Sequence, residues 1–445
     1  MNAFLRCPTL FLPATAYVFF VTSSVLAEDW PQWRGPRYDG TSIEKDLPTT
    51  WSNDSGIAWQ CPLPPWGNST PVVCGDAVFL TTQAEGRDLL LLKINKPTGK
   101  ILWTRTVSAD HVPEQGDPNV RKLRRNTWYA DSQGSEINYA GPSPVTNGKV
   151  VVAHFGNGDL AAYDFDGKQL WHRNLQRDYG EYSIWWGHAN SPVIYENMVI
   201  SLCIQDCCSD LPGEPSVNYV VAHDLLTGKE CWKTDRPPVT KSEPGDSYTT
   251  PIFWKNGDRL EMVVWGGLIL DAYNPKDGSR LWNLSKDLTG NRTITGPVAA
   301  HGMIYATQGM RQPILAVRPG GDGDRPTEDI VWQSNKDTPD SPTPVVWDKW
   351  LFAVNNNGGV RCFDALTGQQ QWKEKLPGDY RASLLAADGK IYIQNCTGLT
   401  TVVKAGPEFE RLAENQIDDQ TLASPIVSEG HLYLRGHKAL YCIGK

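Results

Sequence analysis

One pattern recurs along this chain and limits what it can fold into. It is a small residue followed by Pro-Val, a turn, an apolar run, a second apolar run ending near Asp, then Thr-Gly-Lys and a tryptophan. It reads STPVVCGDAVFL…LLLLKINKPTGKILW at 69–103 and PSPVTNGKVVVAHFGNGDLAAYDFDGKQLW at 142–171. Further copies lie at 190–232, 249–282, 295–332 and 342–372. A copy at 382–406 lacks the closing tryptophan, and one at 423–444 stops before its last strand. Self-similarity at a period of about 40–60 residues marks a propeller or solenoid, whose units bury their faces only against neighbours.

The incomplete last copy has a counterpart at the other end. GIAWQCPLP, residues 56–64, resembles a closing tryptophan strand with no repeat ahead of it. Joined to 423–444 it completes an eighth unit, which places Ile57–Gln60 beside Leu440–Ile443. Closure of this kind leaves no free sheet at the join. The expected fold is therefore all-β: an eight-bladed β-propeller of four-stranded antiparallel blades, closed by an N-terminal strand in the last blade. The Pro-led strands line the channel, where Pro at a strand start breaks no ladder bond. Asn147-Gly148, Glu196-Asn197, Asn256-Gly257 and Asp388-Gly389 read as hairpin turns. Thr98-Gly99, Thr227-Gly228 and Thr367-Gly368 form the next turn, where Gly supplies positive φ. The closing tryptophans (59, 103, 171, 232, 282, 332 and 372) fill the gaps between wedges, each ring burying about 150–250 Å². They are read as structural.

Composition narrows the partners. The 445 residues carry a net charge of −8, which argues against nucleic acid. Arg6, the apolar stretch Leu10–Val25 and the small-residue site before Glu28 read as a signal peptide over 1–27. No later segment is long and apolar enough to span a bilayer. Residues 28–55 are expected as an extension packing on the propeller, and 56–445 as the propeller itself. The expected location is outside the cytoplasm, in the periplasm or beyond, and the expected state is a monomer. Nine cysteines remain after residue 27. Most sit in strand-like runs and read as small buried apolar residues.

Asp224–Trp232 and Asp364–Trp372 match an Asp-x-x-Thr-Gly-x-x-x-Trp core in full, and Asp164–Trp171 is one residue shorter. In this the chain resembles the pyrroloquinoline-quinone (PQQ)-like repeat proteins over about residues 56–445. DWPQWRGPRYDGTS at 29–42 resembles the start of an exported group of them, seen particularly in planctomycetes. The resemblance implies the eight-bladed propeller. For function it spans quinoprotein dehydrogenases, which hold PQQ and calcium in the channel, and the outer-membrane assembly factor B lipoprotein. Cys207-Cys208 echoes the cysteine pair of the dehydrogenases, but the Glu, Asn and Asp ligands find no matching motifs here. No haem motif, zinc signature, nucleophile elbow or phosphate loop is present. No catalytic residue, no metal and no cofactor are expected; PQQ with calcium is the alternative.

Loops entering each inner strand converge on one mouth, where a rigid scaffold carries function. The richest is QRDYGEYSIWWGHANSP, 176–192. Its Tyr182, Trp185, Trp186, His188 and Asn190 combine aromatic surface with hydrogen-bonding groups; the alternative is a loop packed over its blade by its own aromatics. Tyr248, Thr249, Arg292, Asp340 and Arg381 hold pre-strand positions in later copies and complete the candidate site. A basic run, VRKLRRNTWYA at 120–130, reads as a solvated surface or a site for an acidic partner. GGDGDRPTED at 320–329 lacks the spacing of a calcium loop and reads as a turn. The expected function is non-enzymatic binding or scaffolding, with a protein or polysaccharide at the channel mouth. A quinoprotein oxidoreductase with a degenerate site, or an envelope protein assembly factor, are the alternatives.

Overall fold

The computed structural model describes residues 28–84, 88–108, 138–184, 186–206, 217–237, 243–285, 288, 290–335 and 338–444. The signal segment, Trp185, Cys207-Cys208 and the basic run at 120–130 lie outside these residues. Eight antiparallel sheets follow one another around a ring. Blade 1 runs from Val72–Cys74 at the channel through Ala77–Gln83 and Leu89–Asn95 to Ile101–Ser108 at the rim. Blades 2 to 6 repeat that order, ending in rim strands Gln169–Asn174, Glu230–Arg236, Arg280–Leu284, Ile330–Ser334 and Gln370–Lys375. Blade 7 ends at Arg411–Gln416.

Blade 8 joins both ends of the chain. Its three inner strands are Ile426–Ser428, His431–Arg435 and Ala439–Ile443, and its rim strand is Ile57–Pro62. Ile57 pairs with Ile443, Trp59 with Cys442 and Gln60 with Tyr441. The closure expected from the interrupted repeat is thus present, with Ile57–Gln60 beside Leu440–Ile443. The segment 320–329 does more than turn: Gly323–Asp324 adds a parallel edge to the rim strand of blade 4.

The repeat signature is the joint between blades. Each rim tryptophan donates its indole N–H to a turn carbonyl of the next blade. Trp59 reaches Lys96 O at 2.8 Å, Trp103 reaches Phe165 O at 3.1 Å and Trp171 reaches Leu225 O at 2.9 Å. Trp232, Trp332 and Trp372 do the same to Pro275, Ala365 and Gly406. The Thr-Gly turn of the next blade lies flat on the ring. A Cβ on Gly99, Gly228 or Gly368 would stand 2.5–2.6 Å from Trp59, Trp171 or Trp332, and each of these glycines has positive φ. So the glycine and the tryptophan of the motif are partners across a seam, not within one blade. Trp282 departs from this; its indole donates to Glu261 Oε2 of its own blade at 2.6 Å instead.

Blade 7 has Ala413 where other blades carry tryptophan, paired with Val402. The extension supplies a substitute. Trp51 is buried in the same apolar cluster as Val402, with Ala413 packed against that cluster. Its backbone N–H donates to Asn415 Oδ1 at 2.8 Å, and Asn415 Nδ2 donates back to Thr49 O at 3.0 Å. Tyr392 and Lys390 fasten the same stretch through Pro48 O and Leu47 O.

Candidate functional site

The residue ahead of each Pro-led strand carries a hydroxyl in most copies, and these hydroxyls form an inner ring of blade-to-blade bonds. The backbone N–H of Thr70 donates to Ser143 Oγ at 2.9 Å, and that of Ser143 to Ser191 Oγ at 2.9 Å. Ser191 N–H donates to Thr250 Oγ1 at 3.3 Å. Beyond blade 5, Gly296, Thr343 and Ser383 donate to Thr343, Ser383 and Ser424 at 3.0–3.1 Å. At Gly296 the ring lacks a hydroxyl. Trp33 occupies that place, and a Cβ on Gly296 would lie 2.9 Å from its indole.

Trp33 belongs to a segment that crosses the channel. Trp30 pairs with Val73 of blade 1, and Thr146 of blade 2 donates to Pro31 O at 2.9 Å. Arg34 donates to Leu384 O and Pro344 O of blades 7 and 6. Tyr38 meets Phe253 of blade 4 edge-on at 5.3 Å, and Thr41 pairs with Ala386 of blade 7. A strand of chain that touches blades 1 and 5, which face each other across an eight-membered ring, must cross the axis. The contacts fall along the inner strands, below the hydroxyl ring. The channel is therefore a cup with Trp33 in its floor.

The cup has a volume of about 670 Å³, within the range of small-ligand sites. Five of the residues singled out in the sequence line it: Trp186, Tyr248, Arg292, Asp340 and Arg381. Arg292 Nη2 lies 3.1 Å from Asp340 Oδ2, and its guanidinium sits 5.5 Å above the Trp186 ring. Trp186 donates its backbone N–H to Tyr248 OH at 3.1 Å and keeps 40% of its surface exposed. Asn356 Nδ2 holds Ser341 Oγ at 3.1 Å and Asp340 Oδ2 at 3.4 Å.

Four others stand behind the wall. Tyr182 is buried and stacks on His188 at 4.6 Å, and His188 Nε2 meets Leu202 O at 2.9 Å. Asn190 is buried and donates to Ser247 O and Thr249 O. Thr249 is buried and donates to Trp265 O at 2.5 Å. These residues hold the loops that present the lining. Burial pushes the imidazole of His188 down to about 4, so it is neutral near pH 7. The lining hydroxyls were visible in the sequence only as the small residue before Pro; their common chemistry was the signal to read.

A calcium-quinone site does not fit this donor set. A calcium ion takes six to eight oxygens, several of them carboxylate. Among the described lining residues Asp340 is the one carboxylate, and Arg292 and Asn356 hold it. The described residues contain no group of three or more His, Cys, Asp or Glu side chains placed for a metal. Four of their seven cysteines are buried.

With the fold and cup in view, the relatives are informative. The family model described as "Outer membrane protein assembly factor BamB" matches residues 45–206, 124–319 and 321–406. The chain belongs to this family of PQQ-like propellers. The outer membrane protein assembly factor BamB of Yersinia pestis is 23% identical over 326 residues, covering 68% of this chain and 74% of that protein. The fold is shared with a quinohemoprotein alcohol dehydrogenase from Comamonas testosteroni (TM-score 0.66, 13% identity, 93% of this chain and 80% of the other). It is also shared with BamB from Moraxella catarrhalis (TM-score 0.56, 12% identity, 87% and 99%).

Proposed function

We propose that this is an exported, non-enzymatic binding protein that takes part of a polysaccharide or protein ligand into the axial cup. The observation that carries this reading is the closed floor. Residues 30–41 turn a pore into a pocket, and the exposed Trp186 at its lip offers an apolar face beside hydrogen-bonding groups. The lone, engaged carboxylate supports binding over quinone chemistry. Addition of PQQ and calcium to the purified protein is expected to produce no dye reduction with alcohols or sugars. Quinone-dependent dye reduction would refute the reading.

A second reading, assembly of envelope proteins, is favoured by the family match. It predicts that deletion of the gene lowers the amount of folded β-barrel protein in the outer membrane. An unchanged outer-membrane profile would remove it.

A further inference from the structure

The end of a folded chain is loose unless something fastens it. Glu28, the residue that follows the expected signal segment, is fastened by both its backbone and its side chain. Its backbone N–H donates to Glu44 Oε1 at 3.0 Å. Its carboxylate accepts from the Arg37 guanidinium, from Ser42 Oγ at 2.9 Å and from the Ile43 N–H at 3.3 Å. Asp29 follows it, and the Gly75 N–H of blade 1 donates to Asp29 Oδ1 at 2.9 Å.

Glu44 is only 1% exposed. Besides Glu28, its carboxylate takes the backbone N–H groups of Glu429 at 2.8 Å and Gly430 at 2.6 Å, in the hairpin turn between two inner strands of blade 8. No Lys, Arg or His pairs with it among the described residues. The lysine of this corner, Lys96, is bonded to Glu429 Oε1 at 2.9 Å. A buried carboxylate is costly to hold without a cation, and N–H dipoles offset only part of that cost. In the uncut chain the nitrogen of residue 28 is a neutral amide. Cleavage changes that: water adds across the Ala27–Glu28 peptide bond, the carbonyl carbon leaves with residues 1–27 as a carboxylate, and the nitrogen stays on Glu28 as an ammonium, charged near pH 7.

We propose that removal of residues 1–27 creates the cation that Glu44 lacks, so that the α-ammonium of Glu28 pairs with the buried carboxylate and latches the floor of the cup. The latch rests on the export proposed above, since a retained leader would keep the nitrogen an amide. Glu28 and Glu44 bracket the segment that crosses the channel, with Trp30, Trp33 and Arg34 between them. Their ion pair closes that segment into a loop, tied to blade 8 through Glu429 and Gly430 and to blade 1 through Asp29. In the precursor the same contact is a hydrogen bond from an uncharged amide. The floor is therefore held more weakly until the chain has been exported and cut.

Mass spectrometry of the protein recovered from the cell envelope reads its first residue, and Glu28 is expected. Thermal melting of that chain is then compared with melting of the same chain acetylated at its α-amino group. Acetylation restores the amide N–H and removes the charge. The acetylated chain is expected to melt at least about 2 °C lower, with faster hydrogen exchange across residues 30–42. In Glu44→Gln the free and acetylated chains are expected to melt together; comparing the two within the variant cancels whatever the substitution itself costs. Equal melting of the free and acetylated wild-type chains, or an undiminished gap in Glu44→Gln, would overturn the latch and leave export and ligand binding standing. A first residue other than Glu28 in the envelope protein would do the same. Recovery of the protein from the cytoplasm alone, with residues 1–27 intact, would sink both the latch and the export.

Discussion

The rim and the channel solve one problem, the joining of eight wedges, with opposite chemistry. At the rim a tryptophan lies on a glycine and donates to a carbonyl, so the joint is apolar and its indole N–H is satisfied. At the channel an amide donates to a hydroxyl, so the joint is polar and sets hydroxyl-bearing residues on the cup wall. The first arrangement stabilises without offering a surface. The second holds the ring and offers one. Each ring has a defect, at Ala413 on the rim and at Gly296 in the channel, and the same N-terminal extension fills both, with Trp51 and Trp33.

The largest effects are expected at the rim. Trp171→Ala removes a large buried ring and its hydrogen bond to Leu225, and should cost about 3–5 kcal/mol in denaturant unfolding. Trp51→Ala sharpens the comparison: if Trp51 replaces the missing blade 7 tryptophan, its loss should cost a similar amount. A loss below about 1 kcal/mol would show that the seam between blades 7 and 8 closes without it.

Acid comes next, through a buried histidine group between rim and channel. His154 and His188 lie 4.7 Å apart, and His223 bonds Tyr179 OH at 2.9 Å. Burial holds His188 and His223 at about 4, and burial with the neighbouring His188 holds His154 well below its usual value. The unfolded chain takes up protons near pH 6.5 that the folded chain refuses. Stability should therefore be level above about pH 6.5 and fall as pH drops towards 4, with His188 contributing up to about 3 kcal/mol. Melting temperatures from pH 8 to 4.5 read this directly, and His188→Gln should flatten the slope. An equal slope in that variant would assign the acid sensitivity elsewhere.

The smallest effect belongs to the channel. Ser191→Ala leaves the Ser143 amide without its acceptor and should cost about 1 kcal/mol. That is well below the tryptophan cost. The reverse order, a costly serine and a silent tryptophan, would break the contrast between the two joints.

Much of the frame was legible because its parts are local. The interrupted eighth copy, GIAWQ at one end and ALYCIG at the other, predicted that these two segments pair, and they do. Thr-Gly and Trp stand at fixed spacing because each serves a seam of the same width. The extension's path was not legible, because Arg34 is held mainly by backbone carbonyls more than 300 residues away, which leave no mark in side-chain pattern. The candidate site was half legible. Pre-strand position places Trp186, Tyr248, Arg292, Asp340 and Arg381 at the cup, but position alone does not separate a residue facing in from one facing back. Tyr182, His188, Asn190 and Thr249 face back, and their buried partners are on other strands.

Hydrogen exchange of the wild-type chain beside Trp171→Ala and Ser191→Ala sets the two joints against each other in one experiment. The account predicts faster exchange on both sides of the rim seam, in 159–174 and 218–232, for Trp171→Ala, and a change confined to the inner segments 141–146 and 190–195 for Ser191→Ala. Unchanged exchange at the seam in the tryptophan variant, or loss of protection in the rim strands of the serine variant, would contradict it.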